Sequence, residues 1–244
     1  MDTPEEVKKA ASVLIRTGEV GDGVMDDAAL RRAFYRSRPE NADRTAGEVH
    51  TPSESGLTLG FGHDIGQSSA AEIDKFYGPN RNPRDMFPTP AILSDSERAV
   101  LKSYVGQPVV KLGKGDAAFI ATTGIDITYE EATEVFEKHL LPKYIGLAKA
   151  AYPGFDDLPV KQQAAIVNRT YMRGDHPNPN NKNGRKAFAD LRDAIFRRST
   201  KEVYLALKNM ERFHKKNGSP WKRAKINTAL AKDGYLETTR MGPR

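Results

Sequence analysis

The chain of 244 residues has no cysteine. Disulfides and Cys-based zinc sites are therefore excluded, and the chain is indifferent to the redox state of its surroundings. It has no apolar run approaching the ~18 residues of a membrane-spanning helix. Its N-terminus starts acidic, and the short apolar stretch that follows is closed by Arg16, so no signal peptide is expected. Tryptophan occurs once, at Trp221, most simply a packing anchor. Metal-site spacings such as His-Glu-x-x-His are missing, and His50, His63 and Asp64 do not form one. Gly60-x-Gly62-x-x-x-Gly66 has neither the Lys-Ser/Thr of a phosphate loop nor the glycine spacing of a dinucleotide site. Neither a metal nor a cofactor is expected.

What is present is enough apolar residue, 38%, to build a core, under a polar surface implied by a mean hydropathy of −0.62. Charge is divided unevenly. Residues 1–160 carry 18 Lys/Arg against 25 Asp/Glu, and residues 161–244 carry 20 against 7, a balance of +13. Such a half suits a polyanionic partner: nucleic acid, anionic lipid or bacterial cell wall. It is equally compatible with a solvated basic helical surface. No helix-turn-helix or aromatic RNA-binding signature supports the nucleic-acid reading.

Caps and breakers organise most of the chain into helices. Thr3-Pro4-Glu5-Glu6 predicts a helix through about Arg16. Asp26-Asp27 opens a second, Ala28–Ser37, which Pro39 ends. Residues 39–56 read as loop. Ser69…Glu72, Ser94…Glu97 and Thr128…Glu131 have capping-box spacing, each before a helix. Four prolines make 78–90 a long loop. Pro142 and Pro153 bound a further helical piece. Val160–Met172, apolar on most sides, is the central core helix. Residues 174–184 are a turn-rich insertion. Ala187–Phe196, Thr200–Met210 and Trp221–Leu230 are the remaining helices. The sum is a mainly helical protein with one small strand region.

That strand region is Gly56–Asp64. Leu57, Leu59 and Phe61 alternate with small or polar residues, the period of a half-buried strand. Glycine inside a strand suggests a bulge or close approach by a ligand or another backbone. Thr58 and Asp64 lie six apart on it, a hydroxyl and a carboxylate on a bare backbone that can hold a water against a substrate. In the bland alternative, Thr58 is a β-favouring residue and Asp64 a turn former.

The stretch Leu57-Thr58-Leu59-Gly60-Phe61-Gly62-His63 resembles the Thr-(apolar)-Gly-x-Gly-His strand of the lysozyme superfamily. Phage-type lysozymes and the catalytic domain of the pesticin type are the nearest in pattern. Further along, Ile127-Thr128-…-Glu131-Ala132-…-Phe136 is similar to that family's Ile-Thr-x-x-Glu-Ala helix start. Phe155–Pro159, then Gln163–Asn168 and Met172-Arg173-Gly174, resemble its central helix, and Arg223-Ala224-Lys225 its Arg-Ala pair. The likeness covers somewhat over half the chain and rests on order and spacing. It implies a single lysozyme-like α+β domain over 1–244, with two lobes and a small β-sheet lining the cleft. The N-terminal region, 1–115, would carry the catalytic strand, and 116–244 would form a helical lobe.

The resemblance further implies a muramidase that cuts peptidoglycan between N-acetylmuramic acid and N-acetylglucosamine. Thr58 matches the family's strand Thr. Asp64 matches the pesticin-type carboxylate after it, while Pro52 stands where the phage-type pattern has its Asp. The acid is implied to follow a helix, which favours Glu40 over Glu48 and Glu54. Such chemistry needs an acid to protonate the leaving oxygen and a second group to activate water, and a partly buried Glu suits the first role. Arg169 and Arg173, four apart on one helix face, and His63 are candidate substrate-binding residues. The rival activities are a lytic transglycosylase, which needs the Glu but no water-activating carboxylate, and a non-enzymatic basic nucleic-acid binder. A muramidase without a signal peptide implies synthesis in the cytoplasm and delivery to the periplasm or wall. That fits a phage endolysin, or an antibacterial effector with secretion machinery (type VI, for example) and an immunity protein as partners.

Overall fold

A computed structural model describes residues 4–20, 35–36, 57–79, 90–107, 123–173, 182–213 and 219–240. Among them the protein is mainly helical with a little sheet, and no helix is long and apolar enough to cross a membrane. Residues fall into two compact units, one of 19–140 and one of 1–18 with 141–244. The division expected at 115/116 lies outside the described residues.

The first unit holds the sheet. Strands β1 (Tyr35–Arg36), β2 (Thr58–Leu59) and β3 (His63–Asp64) are antiparallel, in the order β1-β2-β3. Two expectations are corrected here. Tyr35–Arg36 do not end a helix but pair with Leu59 and Thr58. Pairing gives their backbone groups ladder partners on β2, and Tyr suits a pleated surface. The strand expected over Gly56–Asp64 is, across the described 57–64, a hairpin, because Gly60 and Gly62 have φ of +62° and +100° and turn the chain back. Leu57, Leu59, His63 and Ile65 are buried on one side of this hairpin. Phe61, at its tip, is buried edge-on against Phe136, centroids 5.7 Å apart.

Helices α2 (Ala70–Tyr77), α3 (Asp95–Ser103) and α4 (Tyr129–Val135) follow, and all three expected capping boxes form. At Ser69 the hydroxyl accepts from Glu72 N at 3.1 Å, and the Glu72 carboxylate accepts from Ser69 N at 3.0 Å. Thr128 and Glu131 repeat this at 3.1 and 2.7 Å. Each box satisfies two amides that a helix start leaves open. Arg98 of α3 is buried, and its guanidinium is shared among Asp74 of α2, at 3.3 Å, Asp95 and the Leu93 carbonyl. Lys102 also reaches Asp74, at 2.6 Å. A five-residue π turn, Phe136–Leu140, closes this unit. Its wide turn stands just before Pro142, which brings no N–H to the ladder.

The second unit comprises α1 (Pro4–Val20), α5 (Leu141–Ala151), α6 (Val160–Arg173), α7 (Lys182–Phe196), α8 (Thr200–Met210) and α9 (Ser219–Arg240). On α1, Val7, Ala11, Leu14 and Ile15 are buried at helical spacing. Ala164, Ala165, Ile166 and Val167 of α6 are wholly buried, as expected of the central helix. Gln162, Gln163, Asn168 and Thr170 of this helix are buried too, and each donates a hydrogen bond. The Gln162 amide donates to the Thr200 and Ala231 carbonyls at 2.7 and 3.0 Å. Asn168 donates to Asn227 at 2.7 Å. α9 runs ten residues beyond the expected Leu230, through Gly234. There a Cβ would stand 3.0 Å from Gln162 Cγ, so the glycine permits the close approach of α9 to α6. Likewise α7 starts five residues earlier than expected, through Gly184, and α1 passes Arg16 to Val20. Packing of an amphipathic face outweighs one glycine's intrinsic cost of about 1 kcal/mol in each case.

Two stability outcomes follow from these local geometries. Gly60→Ala should cost about 1–2 kcal/mol through its φ alone, since the new methyl meets Ala132 at an ordinary 3.5 Å. Gly154→Ala should cost more, because its φ is +92° and its Cβ would also stand 2.9 Å from the Ile195 carbonyl oxygen. Denaturant melts of the two variants check that order. Secondly, the hydrogen bond from Lys102, with its charge and that of Arg98, holds the Asp74 carboxyl below its ordinary value. This contribution is present above the unfolded carboxylate value, about 3.9, and is lost as pH falls through the folded one. Asp74→Asn should therefore be less stable than wild type at neutral pH and converge with it in acid, as read by melts across pH 2–7.

Candidate active site

The hairpin gives the Thr58–Asp64 spacing a different meaning. On one strand, six residues would separate them by about 20 Å. Folded back at Gly60-Phe61-Gly62, they become direct partners, Thr58 opposite Asp64 and Leu59 opposite His63. Ile65 N donates to the Leu57 carbonyl at 2.8 Å. That makes 57/65 a hydrogen-bonded pair, and 58/64 the non-hydrogen-bonded pair beside it, with Cα atoms about 4.5 Å apart in such geometry. Arg36 stands opposite Thr58 on the other side. The register therefore sets Arg36, Thr58 and Asp64 in one cross-strand row.

Asp64 is half-buried. Gln67 N donates to its Oδ1 at 3.2 Å, the turn-forming role that the bland reading gave it. This bond fixes one carboxylate oxygen and so also orients the other. The loop behind is pinned where Gly106 N donates to the Gly66 carbonyl at 2.9 Å.

His63 lies on the core side, buried, with its ring 5.0 Å from Phe76 and 5.6 Å from Tyr77. Its Nδ1 is 2.9 Å from the Tyr77 hydroxyl and its Nε2 2.7 Å from Ser68 Oγ. A ring so engaged supports the hairpin from behind. Sequence reasoning missed Ser68 and Tyr77. The Ser68-Ser69 pair drew attention only to the cap at Ser69, and Tyr77 lies fourteen residues from His63.

His139, on the π turn, stacks on Phe76 at 4.8 Å with the planes 9° apart. Burial, with the charges of Lys75 and Lys138, holds its pKa below the ordinary value, against a smaller opposing effect from Glu134.

The remaining candidates are placed as follows. Glu40, Glu48 and Glu54 lie outside the described residues, and the helix to Ser37 that favoured Glu40 is replaced at 35–36 by β1. Arg169, in the second unit, sets its guanidinium 5.2 Å from the Phe188 ring and 6.0 Å from that of Tyr152. Arg173 is the last residue of the same helix. Exposed Lys and Arg residues, among them Arg185, Arg192, Lys201, Lys208 and Lys232, cover the outer faces of α7–α9.

Compared with protein-family models, with curated proteins and with solved structures, the chain matches none.

His139 should titrate below the ordinary histidine value of about 6.5. NMR titration of the five histidines checks this. Lys75→Gln removes one of the repelling charges and should move the midpoint back up.

Proposed function

We propose that the protein is a peptidoglycan-cleaving glycoside hydrolase of the lysozyme kind, cutting between N-acetylmuramic acid and N-acetylglucosamine. The observation that carries this reading is the cross-strand pairing of Thr58 with Asp64. A hydroxyl residue and a carboxylate residue placed opposite each other by a glycine turn are what is needed to hold and activate one water. In the proposed reaction Asp64 accepts a proton from this water and Thr58 orients it. A Glu of the segment 37–56, Glu40 first and Glu48 or Glu54 next, protonates the leaving glycosidic oxygen. In an inverting enzyme the two carboxyl groups stand roughly 6.5–9.5 Å apart, room for the water between them.

The rest of the chain is read in the same terms. The small sheet is proposed to line the substrate cleft. The exposed cations of α7–α9 attract the peptide carboxylates and anionic polymers of the wall. Arg169 is held by aromatic faces, and with Arg173 it is proposed to meet a stem-peptide carboxylate. The protein acts in the periplasm or on the wall after delivery from the cytoplasm, as an endolysin or an antibacterial effector with an immunity protein.

Purified protein should clear suspensions of bacterial cell wall. Asp64→Asn should lower the rate by about 10²–10⁴-fold, and Thr58→Ala by a smaller factor, on the order of 10- to 10²-fold. Glu40→Gln, Glu48→Gln and Glu54→Gln, tested side by side, should leave one variant inactive. Mass spectrometry of the fragments should find reducing ends. Anhydro ends, with Asp64→Asn still active, would show a transglycosylase instead. Tight, salt-dependent DNA binding without lysis would move the assignment to a nucleic-acid binder.

A further inference from the structure

Ser68 makes two hydrogen bonds, and their directions can be deduced. Its Oγ lies 2.7 Å from the Asp64 carbonyl oxygen, which can only accept, so the one hydroxyl proton points there. Ser68 Oγ must then accept from His63 Nε2, 2.7 Å away, and that nitrogen carries a proton. In a neutral imidazole Nδ1 is then the acceptor, and the Tyr77 hydroxyl, 2.9 Å away, is the donor. Burial raises the Tyr77 pKa far above its ordinary value, so the phenol keeps its proton. For a neutral His63 the result is a continuous chain: Tyr77 Oη–H to His63 Nδ1, His63 Nε2–H to Ser68 Oγ, and Ser68 Oγ–H to the Asp64 carbonyl. Every donor points toward Asp64, the arrangement in which successive bonds polarise and reinforce one another.

The chain begins on a rigid element. Tyr77 ends α2, a helix fixed by the Ser69 box at its start and by the Asp74–Arg98 contact along its length. It ends on the residue that, at its other side, receives the Gln67 amide on its carboxylate. Backbone and side chain of Asp64 are thus held independently, by Ser68 and by Gln67.

We infer that Ser68, His63 and Tyr77 are positioning residues for Asp64, and that His63 does so as the Nε2–H tautomer. The inference rests on the muramidase reading for its catalytic consequence but not for the chain itself. The energetic scale is that of a single net hydrogen bond, so losing the last link should cost up to about tenfold in rate.

Two measurements test this. Nitrogen-15 NMR of the wild-type imidazoles reads the tautomer without any assay. The Nε2–H form at His63 is expected, and an Nδ1–H form overturns the proposal. Kinetics on soluble glycan fragments reads the consequence. Ser68→Ala should lower kcat about tenfold with KM unchanged, and should lower the residual rate of Asp64→Asn no further, since both act through one group. An unchanged kcat in Ser68→Ala, or an equal loss in the Asp64→Asn background, overturns the positioning role. A wild type with no activity on the wall defeats the muramidase reading and the catalytic role together, and the tautomer still decides the chain.

Discussion

The turn Gly60-Phe61-Gly62 is the constraint on which the candidate site depends. Two positive φ values within three residues convert a nine-residue alternating stretch into a hairpin. Without that reversal, Thr58 and Asp64 are two points on one ribbon. With it they are neighbours, and Arg36 joins their row from β1. The turn is itself held, since Phe61 packs edge-on into Phe136 while Gly60 lies against Ala132. The hairpin tip is therefore locked to the helix and π turn that follow. The position of the hydroxyl–carboxylate pair is a property of this packing as much as of the strands.

Helix starts were the most legible part of the sequence. Ser69, Ser94 and Thr128 each stand three residues before a Glu, and each forms its box, because capping is a contest settled within four residues of chain. Helix extents were less legible. Gly184 fell in the expected turn-rich insertion and Gly234 beyond the expected helix end at Leu230, but a helix carries through both, since the faces that α7 and α9 bury outweigh a single glycine. At Gly234 the missing side chain is what lets the neighbouring helix approach. Such a requirement exists only in three dimensions and leaves no local mark.

The sheet was misread for a related reason. Periodicity of two does not distinguish a long strand from a short hairpin when glycines occupy the alternate positions, since the same glycines can extend or reverse the chain. Tyr35–Arg36 gave no strand signal because β1 exists only by pairing with residues twenty-four and twenty-two positions away. Thr58 and Asp64 were legible as candidate residues, and their cross-strand pairing was not. Ser68 and Tyr77 were invisible as partners of His63 because the hydrogen-bond chain spans a loop and a helix, and no spacing rule announces it.

The second unit is discontinuous in sequence. Its first helix is made of residues 4–20, and the rest of it begins at 141. During synthesis the apolar stripe of α1, with Val7, Ala11 and Ile15, leaves the ribosome long before the helices of its own unit exist. The intervening unit, 19–140, can close first as a contiguous insert. Its closure shortens the effective loop across which α1 must return, and lowers the entropy that return costs. The connectivity thereby sets a constraint: α1 can complete its packing within its unit only once the helices that begin at 141 exist.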